Sequence, residues 1–255
     1  MFLFKRKKVV LDCFTSDSFA YEYTPISRAI DFYPEWWNNI DNTYTINSTN
    51  VSTMKHCRGF IDLYKDSIII PFWGKLKIDV SNNIKKQINW ESNYDIYTKQ
   101  PILIHNELEY KGFTDNSYQH MKIISPWRCR TNKYVKFILT DPLYNRTDLT
   151  EYNVLPGVLD FKYQNSTNIN IMTEYKNVDR VIRFDPLNPV AILTPITEET
   201  IVIKTHLISS TEFENFGLSR LISNFDNLKK YSKTKLFLNE HDNRTKSRCP
   251  FGFGK

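Results

Sequence analysis

The chain has 255 residues, a formal net charge of +6 and an apolar fraction of 41%, with 17 Phe, 15 Tyr and 5 Trp. That is enough large apolar side chain for one large β domain or two smaller units, and it excludes a disordered chain. Only 7 glycines are present, which excludes a collagen-like or glycine-rich linker protein, and there is no P-loop or dinucleotide fingerprint to cradle a phosphate.

The excess of Lys and Arg reads as ordinary solvated surface, and a charge of this size does not by itself point to nucleic acid. Cys13, Cys57, Cys129 and Cys249 are widely spaced, form no CxxC unit and follow no secretory leader. Reduced cysteines in an intracellular compartment are therefore expected, and the sequons at Asn47, Asn50, Asn145, Asn165 and Asn243 carry no glycosylation meaning on that reading. No apolar run approaches membrane-spanning length, so no membrane association is expected.

In chain order, MFLFKRKKVVLDCF places the basic block Lys5–Lys8 between two apolar runs. VVLDCF predicts a strand or extended arm, with the basic block a solvated flank. Pro25 predicts the start of a short helix through Ile26, Ala29 and Ile30, stopped by Pro34. Trp36 and Trp37 follow; adjacent indoles do not share a helix face, so one caps the core and the other covers a loop or a second subunit. In CRGFIDLYKDSIIIPFW the spans Cys57 to Tyr64 and Ser67 to Val80 are read as extended or partly helical units. Ile68–Ile70 is β-prone, and Pro71 limits pairing beyond it. Leu76, Ile78 and Val80 alternate with Lys75, Lys77 and Asp79, the pattern of a half-buried strand. A further short strand is expected around Trp90, and residues 93–120 read as connections around a short ILIH run at Ile102–His105.

From Met121 to Ser209 the chain is a succession of short apolar runs rich in Val, Ile, Phe and Tyr. Pro126, Pro142, Pro156, Pro186, Pro189 and Pro195 punctuate them, which marks strand ends and edges. NINIMTEY and TIVIKTHLIS are the plainest strands. The expected fold is all-β: an antiparallel β-sandwich or jelly-roll core over 121–209, with N-terminal strands and a short helix over 1–120. A covering helix over 210–232 and a tail over 233–255 complete a single domain. Ser210 or Thr211 caps that helix, Glu212 and Glu214 sit in its first turn, and an apolar stripe runs from Phe213 to Leu228, weakened at Gly217.

SPWRCRT at Ser125–Thr131, FILTDPLYN at Phe137–Asn145, VLPGVLDFKY at Val154–Tyr163 and IRFDPLNPVAILTPI at Ile182–Ile196 occur in that order. With PEWW at Pro34–Trp37 and CRGFIDLYKDSIIIPFW at Cys57–Trp73, this set resembles a poorly characterised β-rich family of tailed bacteriophages and some bacteria. The resemblance implies a cupin-like or jelly-roll domain encoded by a phage. It brings no established activity and no catalytic residues.

Chemistry in the residues themselves is sparse. The sharpest enzyme reading is a metal-dependent oxygenase, in which His105 and Glu107, two apart on a strand face, join His206 as two imidazoles and a carboxylate around Fe(II). The bland reading is two satisfied or exposed imidazoles and a surface Glu107. No GxSxG elbow accompanies any serine, and His56 beside Cys57 is no sign of an activated thiol. Arg128 and Arg130 share a face in an extended segment, as Arg180 and Arg183 approach another strand. They suit a carboxylate, phosphate or protein partner, or else pair with Asp141, Asp160 and Asp185. Asp160 in LPGVLDFKY is expected to project away from the face of Leu159 and Phe161, either as a ligand-binding carboxylate at a roll mouth or as a charge that solubilises the outer sheet.

The leading expectation is a phage-associated structural, assembly or binding protein that forms a homo-oligomer or engages a phage or host protein. Its place is the host cytoplasm during infection or the virion. The alternative is the metal-dependent oxygenase acting on a small molecule. No cofactor is specified, and no catalytic, cofactor or metal residue is assigned.

Overall fold

The computed structural model describes residues 7–80, 88–94, 100–113, 117–149, 151–162, 164–174 and 181–215. The turn expected at Asn82-Asn83, Arg180, the part of the expected covering helix beyond residue 215 with Gly217, and the aromatic tail lie outside the described residues.

The first half of the chain forms β1 (Lys8–Thr15), α1 (Ser18–Tyr23), β2 (Ser27–Arg28), α2 (Glu35–Asn39), β3 (Thr43–Ile46), β4 (Thr49–Ser52), α3 (Arg58–Asp66), β5 (Ile68–Pro71), β6 (Leu76–Asp79), β7 (Asn89–Ser92), β8 (Ile102–Ile104) and β9 (Tyr118–Ile123). The second half forms β10 (Arg128–Thr131), β11 (Lys136–Thr140), β12 (Asn153–Val154), β13 (Gly157–Asp160), β14 (Ile169–Glu174), β15 (Val181–Phe184), β16 (Pro189–Pro195), β17 (Thr200–Leu207) and α4 (Ser210–Asn215). The result is a mixed fold dominated by antiparallel sheets, with a few short helices. Among the described residues the strands do not close into a barrel or a jelly roll.

The largest sheet has the order β13-β11-β16-β5-β2, and a second has the order β12-β14-β9-β8. Two three-stranded sheets, β15-β6-β7 and β10-β1-β17, and the hairpin β3-β4 complete the set. Among the described residues all pairs are antiparallel except β1 with β17, which run parallel from Lys8↔Thr200 to Thr15↔Leu207. A parallel pair needs a long crossover, and here nearly the whole described chain lies between its two strands.

The interior is wider than the 121–209 span. Val9, Leu11, Ile68, Ile70, Phe72, Trp73, Leu76 and Ile78 from the first half pack with Met121, Ile123, Phe137, Ile169, Ile171 and Leu193 from the second in one cluster. Strands β1 and β5 lie inside their sheets, where the sequence had suggested flanking additions. The run Ile68–Ile70 does not alternate because both faces of β5 are covered. Ile68 and Ile70 face the main interior, while Ile69 joins Ile192 in a second cluster with Phe60, Tyr64 and Trp37. A strand buried on both faces reads as a continuous apolar run.

Two local expectations are corrected, and a third, left open between extended and helical, is resolved as helix. The first helix precedes Pro25: Asp17 caps it by accepting the Ala20 amide at 3.0 Å, and Ala29–Phe32 forms only a 3-10 turn. Residues Arg58–Asp66 form a nine-residue helix whose buried Phe60 and Tyr64, four apart, define its inner face. The cap of α4 is Ser209, not Ser210 or Thr211. The Ser209 hydroxyl accepts the Glu212 amide at 3.3 Å, and the Glu212 carboxylate accepts the Ser209 amide at 3.0 Å, a reciprocal capping box.

Candidate functional site

Pro34 fixes the entry to α2, and the two tryptophans that follow are divided as their spacing requires. Trp37 is buried, Trp36 is 39% exposed, and their rings meet edge to face at 87°. Beneath them the aromatic rings are continuous. Trp37 stacks on Phe60 at 4.3 Å, Phe60 on Tyr64 at 4.7 Å and Tyr64 on Tyr33 at 5.0 Å, with Tyr144 edge-on to Phe60 at 4.9 Å. The shelf is pinned by polar contacts. The Trp36 indole donates to the Tyr144 carbonyl at 2.9 Å, the Tyr64 hydroxyl donates to Asn145 at 2.5 Å, and Asn145 donates to the Phe32 carbonyl at 2.8 Å. Burial, then the neighbouring Tyr144 and Tyr33 hydroxyls, push the Tyr64 phenol above its usual range, so it remains a neutral donor.

Beside this shelf lies an open cleft of about 850 Å³, lined by Ile40, Asp41, Tyr44, Met54, His56 and Cys57 among others. The hairpin β3-β4 forms one wall and is paired with no other strand among the described residues. Its turn holds Asn47 and Ser48 at φ 46° and 64°, the conformation of a two-residue type I′ turn. In register, Tyr44 opposes Val51 and Ile46 opposes Thr49, so one side of the hairpin is apolar, and Tyr44 and Ile46 are each about half exposed. An isolated hairpin is marginally stable in water, and this one joins no larger sheet among the described residues.

The candidate oxygenase residues do not come together. β8 ends at Ile104, Asn106 caps the 3-10 turn Glu107–Tyr110, and the HxE spacing is broken by that change of backbone. His105 pairs instead with Glu109, Nδ1 to Oε2 at 2.5 Å, and its ring lies 5.6 Å from that of His120. The hydrogen bond to His105 holds the Glu109 carboxyl below its ordinary range, and burial, then the nearby charge of His105, does the same to the His120 imidazole. His206 lies in a different sheet on β17, 2.8 Å from Asp12 through Nε2 and stacked on Phe14 at 4.8 Å. Among the described residues no group of three or more His, Cys, Asp or Glu is placed to hold a metal ion.

Arg128 and Asp160 are both engaged by local contacts. Arg128 donates through Nη1 to the carbonyls of Phe213 and Glu214 and lies over the Phe213 ring at 4.1 Å, which docks α4 on the β10-β1-β17 sheet. Asp141 pairs with Arg146 at 2.8 Å rather than with Arg128 or Arg130. Asp160 is buried rather than exposed at a mouth, and its Oδ1 accepts the Lys162 amide at 3.2 Å in a tight turn. Among the described residues no helix is long and apolar enough to cross a membrane.

The sequence marked Trp36 and Trp37 but missed Phe60, Tyr64, Tyr144 and the hairpin. The four-residue spacing of Phe60 and Tyr64 was the available signal, inside a run left open between extended and partly helical. Compared with models of known protein families and with characterised proteins, the chain matches none.

Proposed function

We propose that the protein is a binding or assembly component, of the kind tailed bacteriophages encode, which acts by docking another protein surface on its aromatic shelf and hairpin. The carrying observation is the half-exposed Trp36, Tyr44 and Ile46 beside an open cleft, on a base of stacked rings. Rigid aromatic anchors next to a concavity are what protein interfaces use, because they bury much area at little conformational cost. The predominance of short antiparallel strands supports a cupin-like or jelly-roll relationship as the finer fold reading. The partner is a second copy of the chain or a phage or host protein, met in the host cytoplasm during infection or in the virion.

Sedimentation of the full chain, with proteomics of purified particles, tests this reading. Concentration-dependent association or incorporation into particles is expected, weakened by about 2 kcal/mol or more in Trp36→Ala and also reduced in Ile46→Ser. A strictly monomeric chain that is also absent from particles overturns it.

A further inference from the structure

The outer face of the four-stranded sheet carries a row of side chains that the docking reading leaves unused. His105 follows β8 and stands opposite His120 of β9, with its amide donating to the His120 carbonyl at 3.1 Å. On the other side of β9, Met172 of β14 is the register partner of His120. Directly opposed residues share a face, with Cβ atoms about 4.5–5.5 Å apart. Two imidazoles and a thioether therefore line up across three strands, while Met121, Ile123, Ile169 and Ile171 of the same strands point into the interior.

Several features of this row are those of a ligand site rather than of a solvated sheet face. The two rings are 5.6 Å apart, with planes at 54°. Two imidazoles that share one ion at metal–nitrogen distances of about 2.0–2.1 Å, at an angle between tetrahedral and trigonal, hold their centroids about 5.2–5.5 Å apart. The Glu109 carboxylate can only accept, so the tautomer that satisfies it carries its N–H on Nδ1 and turns Nε2 to the row; a carboxylate on the other ring nitrogen is how metal-binding histidines are oriented. Among the described residues Nε2 of His120 is buried without a hydrogen-bond partner, which is costly unless a ligand completes it. The site is also braced. Buried Gln119 donates to the carbonyls of both His105 and His120, at 3.1 and 2.8 Å, and Tyr110 packs on the His120 ring at 5.0 Å.

We propose that His105 and His120 bind a copper ion on this face, with the Met172 thioether as third ligand and Glu109 as the positioning residue for His105. Imidazole with thioether is a donor set suited to Cu(I), and copper leads the divalent series on nitrogen ligands. Structural zinc takes four donors from Cys, His and carboxylates, and this row offers only two such ligands, with the carboxylate of Glu109 turned to His105.

The test is an anaerobic titration of tag-free, metal-free full chain with Cu(I) against a chromophoric chelator, and separately with Zn(II). X-ray absorption of the copper-loaded wild type gives a readout that no variant's folding can disturb. Uptake of one copper per chain is expected, with two nitrogen ligands and one sulfur in the absorption spectrum. Affinity falls by about 100-fold in His120→Ala and His105→Ala and by about 10- to 100-fold in Glu109→Gln, each with an unchanged circular dichroism spectrum. Met172→Leu weakens Cu(I) while leaving Zn(II) binding as it was. Absence of stoichiometric copper uptake, tighter binding of zinc than copper, a spectrum without sulfur, or full affinity in both histidine variants overturns the proposal. Trp36→Ala leaves copper binding unchanged, so this result stands or falls apart from the docking surface.

Discussion

Cys13 and Cys129 face each other across the β1-β10 pair with their sulfur atoms 3.5 Å apart. The Cys129 amide donates to the Asn165 carbonyl at 2.8 Å, away from β1, so theirs is a non-hydrogen-bonded pair, the kind in which antiparallel side chains stand closest. Both residues are buried free thiols, and burial, then the hydrogen bond to Cys129, pushes the Cys13 thiol well above its ordinary range. Raising a thiol's pKa lowers its thiolate fraction, and the thiolate is the nucleophile. Iodoacetamide at mildly alkaline pH is therefore expected to label the partly exposed Cys57 and spare Cys13 and Cys129 until denaturant is added, as read by peptide mapping. Native-state labelling of either buried thiol contradicts this packing.

Asp141 and Arg146 form a nearly buried ion pair, with side chains 10% and 6% exposed. The same carboxylate oxygen accepts the Val154 amide at 2.8 Å, and the guanidinium lies 3.9 Å from the Tyr152 ring centre. Removing one partner strands a desolvated charge, so Arg146→Ala is expected to cost about 3–5 kcal/mol in denaturant unfolding. The Asp141→Ala/Arg146→Ala double variant is expected to lose less than the sum of the single losses, because it leaves neither charge unpaired.

Asp185 to Asn188 is a turn closed by the Asn188 amide on the Asp185 carbonyl at 3.2 Å, with Pro186 second and Leu187 third at φ 69°. That is the pattern of a type II turn, whose third position favours glycine. Leu187 is half exposed and loses little packing when removed. Relief of left-handed strain, partly offset by glycine's greater freedom when unfolded, predicts that Leu187→Gly stabilises the protein by about 0.5–1 kcal/mol in thermal or chemical melts. A destabilised variant means that the leucine contacts outweigh the strain.

The legible parts of this fold were those set by short-range pattern. Leu76 to Val80 alternates as a half-buried strand must, Ile169–Glu174 and Thr200–Leu207 are strands, and Pro189 and Pro195 bound β16. Trp36 and Trp37 had to diverge because neighbours on a helix point apart, and they do. The site residues were less legible. A two-residue spacing placed His105 and Glu107 together only on the premise of a continuous strand, and Asn106, which caps a new turn, ended that strand.

By itself the sequence determined that this chain folds around many short, proline-bounded strands with an aromatic-rich interior, because local periodicity and the missing proline donor act within a few residues. Only the tertiary structure decided which strands are neighbours. It set β1 parallel to β17 across nearly the whole described chain, buried both faces of β5, brought Cys13 to Cys129, and gave His105 the company of Glu109 and His120 rather than Glu107 and His206. Those pairings depend on which distant apolar faces cover one another, a choice made by the whole interior and written in no single segment.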